Sequence, residues 1–232
     1  MALDIYVGSL TRYYVGKWET AGARYAREQG IPYQTVRPHP ESHDAVTDPV
    51  VVKEAVQGWR SSLEAGLRQH LSTGLSWEEE ADSPYFTDRP AWDGYAGLVL
   101  LAAHTECPEF PLPECATAEW DKDDAYQAAA SRDFKSRFSH LYDVVIWLPC
   151  RFSFKFKAPD AVGTQVWFGS SLELLDELRR LNEETYRISS DRKFEDADEG
   201  NRFDKSARLG LEMFLRLAQL SVEHQLPMKL DY

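Results

Sequence analysis

Two histidines and an aspartate in the run HPESHD, His39, His43 and Asp44, form the first set whose side chains could do chemistry. Two imidazoles and a carboxylate suit zinc, and a zinc-bound water would hydrolyse small molecules. The prolines that break this segment keep the histidines off a shared helical face. Two such histidines on a loop are ordinarily solvated, so no metal or cofactor is expected.

A second set is Asp93, His104 and Glu106, at or near the ends of a predicted buried helix. A carboxylate or imidazole there serves as general acid or base when burial tunes it. Asp93 has an equally good structural use, because a negative charge in the first helical turn favours the helix dipole. Cys150 follows Trp147-Leu148-Pro149 with no histidine tied to it by sequence. It reads as a small buried hydrophobe. The three cysteines, Cys107, Cys115 and Cys150, have neither CxxC spacing nor the even count of a disulfide framework and are expected as free thiols. No GxSxG elbow is present.

Gly8-Ser9 and Gly169-Ser170 each close a strand-like run and open a helix-like one. A helix N-terminus attracts anions, but the longer glycine pattern of a phosphate loop is missing, so Ser9 and Ser170 are expected to be N-caps.

Charge is the less even feature. The net charge is -12, and Ser76–Asp124 carries 13 acids against 2 bases, leaving 25 acids and 24 bases elsewhere. Such a field repels nucleic acid and anionic membranes and speeds encounter with a basic partner. Within the same section lie Trp77, Tyr85, Phe86, Trp92, Tyr95, Phe110 and Trp120. Aromatic anchors in a polar rim are what partner interfaces use. The contact residues expected on this ground are Glu78, Glu79, Glu80, Asp82, Tyr85, Phe86 and Trp120. The plainer alternative is that the rings belong to the core and the acids to a solvated face.

The elements that must position these residues follow from periodicity. Leu3, Ile5 and Val7 alternate as a strand; Trp18 to Ala26 follow helical spacing up to Gly30. Asp48-Pro49 is an N-cap followed by N1 for a helix with Val52, Val56, Trp59 and Leu63 on one stripe. A nearly all-apolar helix, capped by Thr87 or Asp88, runs to about His104, and another spans Lys122 to Tyr142. VVIWLP, FSFKFK and TQVWFG then predict an antiparallel meander. Ser170 and Glu173 open a further helix, and a last one over Lys205–His224 stops at Leu226-Pro227.

The fold class expected is therefore α+β: one domain over residues 1–232, an antiparallel sheet of about four strands packed against five or six helices, with an acidic loop-helix-loop at 76–124. The start MALDIYVGSL has no basic n-region, and the longest apolar run, Tyr95–Ala103, is too short to span a bilayer. The cytoplasm is the expected location. Two functions follow from these observations. The first is a non-catalytic acidic protein that binds or neutralises a basic protein partner, in the electrostatic manner of small bacterial immunity proteins. The second is a small-molecule enzyme, a metal-assisted hydrolase if the histidine loop holds a metal.

Overall fold

The computed structural model of the chain describes residues 3–33, 48–71, 74–77, 79–116, 119–188 and 202–232. Six strands form one sheet: β1 (Asp4–Val7), β2 (Phe86–Asp88), β3 (Val144–Leu148), β4 (Phe156–Pro159), β5 (Gln165–Ser170) and β6 (Met228–Asp231). Their order is β2-β1-β6-β3-β5-β4. Seven α-helices are described: α1 (Leu10–Val15), α2 (Ala21–Gln29), α3 (Pro49–Leu67), α4 (Ala91–Glu106), α5 (Asp124–Ala130), α6 (Ser171–Glu184) and α7 (Arg202–His224).

The sheet is mixed, not purely antiparallel, and has six strands where about four were expected. β3 pairs in parallel with β5, while every other neighbouring pair is antiparallel. The meander prediction failed because hydrophobic pattern fixes which residues are extended and says nothing of which strands pair. β4 lies on the edge against β5 alone, and its partner β5 takes the place beside β3. The other two strands, β2 and β6, are three and four residues long.

Alternation along the strands gives the sheet two apolar faces. Ile5, Val7, Trp147, Met228 and Leu230 pack with α4, α6 and α7. Ile146, Leu148 and Phe168 meet Leu10, Val52 and Val56 from α1 and α3 on the other side. Local signals place the helices. Thr20 and Asp48 cap α2 and α3, Ser170 accepts from the Glu173 N–H at the start of α6, and Gly30 ends α2 at φ 66°. Two expectations are corrected. α4 has no side-chain cap, because Thr87 donates to the Glu19 carbonyl and Asp88 accepts from the Arg89 N–H. α5 ends at Ala130, far short of Tyr142, and Asp133 takes a left-handed φ of 51° that breaks helical geometry.

α4 and α7 cross in backbone contact. A Cβ on Gly97 would stand 2.6 Å from the Ala207 nitrogen, and one on Gly210 would stand 2.0 Å from the Gly94 carbonyl oxygen. Neither neighbour is a flexible side-chain tip, so a methyl there forces the helices apart. Gly210→Ala is expected to cost about 1–3 kcal/mol in urea unfolding. Gly58→Ala, on an exposed face of α3 with open space around it, is expected to stabilise by about 1 kcal/mol.

Candidate functional site

The acidic section divides into an inner and an outer part. Glu79 is buried, and its carboxylate lies over the first turn of α1. Oε2 accepts from the Thr11 N–H at 2.8 Å and the Thr11 hydroxyl at 2.9 Å, Oε1 from the Leu10 N–H at 3.3 Å, and the Trp77 indole N–H also donates to it. The chain thus supplies its own anion to the Gly8-Ser9 turn. Ser9 is the N-cap: its hydroxyl accepts from the Arg12 N–H at 3.2 Å and donates to the Glu80 carbonyl at 2.9 Å. Glu79 is therefore withdrawn from any partner surface, contrary to its expected exposure, because two orphan N–H groups of a short helix, those of Leu10 and Thr11, need an acceptor.

Several other acids are answered internally. Glu80 pairs with Lys53 at 2.5 Å, Asp88 with Arg216, Glu119 with Lys122 at 2.7 Å and buried Glu106 with Arg132 at 3.1 Å. Glu106 also accepts from the Ser136 hydroxyl at 2.7 Å. Glu78 lies outside the described residues. Tyr85 is half-buried against Tyr6, with the Arg12 guanidinium 4.9 Å from its ring centre, and Phe86 packs on His224 from within β2. What stays exposed, with no lysine or arginine within 4.0 Å among the described residues, is Asp82, Asp93, Glu109, Glu114, Asp121 and Asp124.

Five of those six fall in the stretch from Asp93 to Asp124, which also carries Tyr95 and Trp120 of a row of rings. Tyr232, 56% exposed, meets Trp92 edge-on at 5.5 Å; Trp92 meets Tyr95 at 6.3 Å, Tyr95 meets Trp120 at 5.5 Å, and Trp120 meets Tyr126 at 5.0 Å. Tyr95 and Tyr126 are core residues, while Trp92 and Trp120 are half-buried and set between them and solvent. Burial pushes the hydroxyl pKa of Tyr95 and Tyr126 upward, and the Asp143 carboxylate adds to this in both. Both tyrosines are uncharged at neutral pH, and Asp93 and Asp121 adjoin Trp92 and Trp120 in sequence.

The catalytic candidates separate in space or are spoken for. His39, His43 and Asp44 lie outside the described residues, and no cluster of three metal-ligating side chains occurs among the described ones. Asp93 and His104 stand eleven positions apart on α4, roughly 16 Å at the helical rise. His104 is buried between the Phe110 carbonyl at 3.3 Å and the Asp123 carboxylate. Burial pushes the Cys150 thiol up to about 12, so it is not a thiolate near neutrality.

Two buried polar clusters went unread in the sequence. On the α1 side of the sheet, Lys229 stands 3.8 Å from the Asp160 carboxylate, which accepts from the Tyr14 hydroxyl at 3.0 Å. The signal was the alternation in MKLDY, which puts Lys229 and Asp231 on one face and Met228 and Leu230 on the other. Near the start of α6, His140 Nδ1 accepts from the Ser170 N–H at 2.9 Å. That leaves the proton on Nε2, which has no hydrogen-bond partner; the Ser153 carbonyl lies close by without meeting the geometry of one. Both oxygens of buried Glu177 accept from the His140 backbone N–H at 3.1 Å. No family model matches the chain, and neither a curated protein nor a solved structure matches it.

Glu79→Gln keeps the shape of the cap and removes its charge. It is expected to lower stability by about 1.5–3 kcal/mol, read by urea unfolding, since hydrogen bonds to a charged acceptor are the ones weakened. The second cluster predicts a pH dependence. Burial, helped by Lys155, pushes the His140 imidazole down to about 4. The unfolded chain then binds the proton first, so this contribution to stability is present above the ordinary histidine range and is lost as pH falls from about 6.5 to 4. Burial raises the Glu177 carboxyl, which acts in the opposite sense, losing stability as pH rises from the ordinary carboxylate range through its folded value. Glu177→Gln is therefore expected to steepen the fall in stability between pH 6.5 and 4, measured by urea unfolding across that window.

Proposed function

We propose that the chain is a non-catalytic binding protein that captures a basic protein partner on the outer part of its acidic section, with Trp92 and Trp120 as anchors and Asp93, Asp121 and Asp124 as the charged rim. The observation that carries this reading is the coincidence of half-buried rings with carboxylates that no lysine or arginine of the described chain answers. A ring held edge-on by core tyrosines loses little freedom on binding, and its face attracts a lysine or arginine side chain. Unpaired carboxylates around it steer such a side chain in and discriminate against acidic competitors.

This surface is narrower than the whole span from Ser76 to Asp124. Glu79 serves α1, and Glu80 and Asp88 already hold cations. Asp82, Tyr85 and Phe86 belong to the β1–β2 side of the molecule, where Tyr85 is engaged with Tyr6 and Arg12. Of the contact residues read from sequence, Trp120 is retained as an anchor.

A short oligolysine peptide tests the reading directly. Tryptophan emission is expected to change on titration at low salt, with the effect fading as salt screens the rim. Replacing Asp93, Asp121 and Asp124 together by lysine is expected to slow association by about tenfold or more. Binding that neither salt nor the triple charge reversal alters would overturn the assignment of this surface.

A further inference from the structure

The buried cluster of Lys229 and Asp160 lies on the opposite face of β6 from the main core. Lys229 sits in the middle of the sheet, opposite Tyr6 on β1 and Ile146 on β3. Its side chain retains 9% of its surface, and its Nζ lies 5.1 Å from the centre of the Tyr13 ring. The nearest counter-charge is the Asp160 carboxylate at 3.8 Å, beyond hydrogen-bonding distance. Asp160 is itself pinned, with Oδ1 accepting from the Val162 and Thr164 N–H groups and Oδ2 from the Tyr14 hydroxyl. Tyr13 is turned the other way, its hydroxyl donating to Asp231 at 2.5 Å.

We propose that Lys229 is a nucleophilic amine that condenses with small aldehydes, with Asp160 carrying the proton between the amine and the departing water. A lysine spent on structure alone would be expected to hold its carboxylate partner at hydrogen-bonding distance. Here the ammonium rests on an aromatic face, and the carboxylate is filled by other donors. Burial lowers the amine's proton affinity, offset in part by Asp160 and Asp231. Tyr14 is held protonated, first by burial and then by Asp160. The groups facing Nζ are thus the Asp160 carboxylate on the β4–β5 turn and the ring of Tyr13, with Asp231 further along its own strand.

The step balances with the aldehyde as the only co-reactant. The ammonium gives one proton to Asp160, directly after a closer approach or through one water, and the free amine pair attacks the carbonyl carbon. A proton passes from nitrogen to the former carbonyl oxygen, giving a carbinolamine. Asp160 returns its proton to that hydroxyl, water leaves, and a protonated imine remains with the Asp160 carboxylate as counter-ion. The small remaining exposure restricts the reaction to short aldehydes.

Formaldehyde with a mild borane reductant, followed by peptide mass spectrometry, reads the methylation rate at each lysine of the intact protein. Near pH 7, Lys229 is expected to react severalfold faster than Lys122, whose side chain is 68% exposed, because burial leaves more of its amine unprotonated. The ratio is expected to shrink by pH 10, where exposed lysines deprotonate. Lys229 reacting more slowly than Lys122 at both pH values overturns the proposal. Asp160→Asn separates the two roles of the carboxylate. Loss of a mere counter-charge would leave more free amine and speed labelling, whereas loss of the proton carrier slows it; faster labelling of Lys229 in this variant overturns the role given to Asp160.

Discussion

A carboxylate taken out of water must be given donors or a cation, and among its described residues this chain buries five: Asp4, Glu79, Glu106, Asp160 and Glu177. Each is answered by at least one group distant in sequence. Arg89 clasps Asp4 through two guanidinium nitrogens at 2.8 and 3.1 Å, Glu79 receives the start of α1, and Glu106 receives Arg132 and Ser136. Asp160 takes Tyr14 and the turn before β5, and Glu177 takes the backbone of His140. Removing one partner of such a group leaves an uncompensated charge inside, at a cost of several kcal/mol. These contacts fix how the helical layers sit on the sheet with a directionality that apolar packing lacks.

The same constraint explains why a count of charge overstates the external field. Glutamates that look like solvating residues in the one-dimensional text include two that are structural acceptors, Glu79 and Glu106. Glu80 and Asp88 hold cations brought from α3 and α7, Lys53 and Arg216. Exposed pairs of that kind contribute little stability, yet they cancel potential at a distance. Most of the carboxylates left without a cation fall between Asp93 and Asp124 in the sequence, the stretch that also carries Trp120.

Signals that act within a few residues were legible in the sequence. Ser9, Asp48-Pro49, Ser170 with Glu173, and Gly30 announce helix ends because a cap needs only its own turn. Pairing between strands was not legible, since β3 meets β5 across a connection that contains β4. The short strand β6 was hidden for another reason: four residues after Pro227 give too little alternation to stand out as more than a tail. Trp120 among its acidic neighbours was legible as a candidate. Lys229 was not, because a lysine in sequence reads as solvated and only the insertion of β6 between β1 and β3 encloses it.

That insertion also relates the two regions to which chemistry is assigned. β6 has hydrogen-bonded neighbours on both sides, so its backbone cannot shift without breaking ladders to β1 and β3 together. Lys229 and Asp231 leave the strand toward α1, while the next residue, Tyr232, emerges at the edge and meets Trp92. The strand therefore holds the buried amine and sets the Tyr232 ring against Trp92 from one backbone. Rigidity of this sort suits both assignments, since a nucleophile and an interface anchor each lose effectiveness when their position is not fixed beforehand.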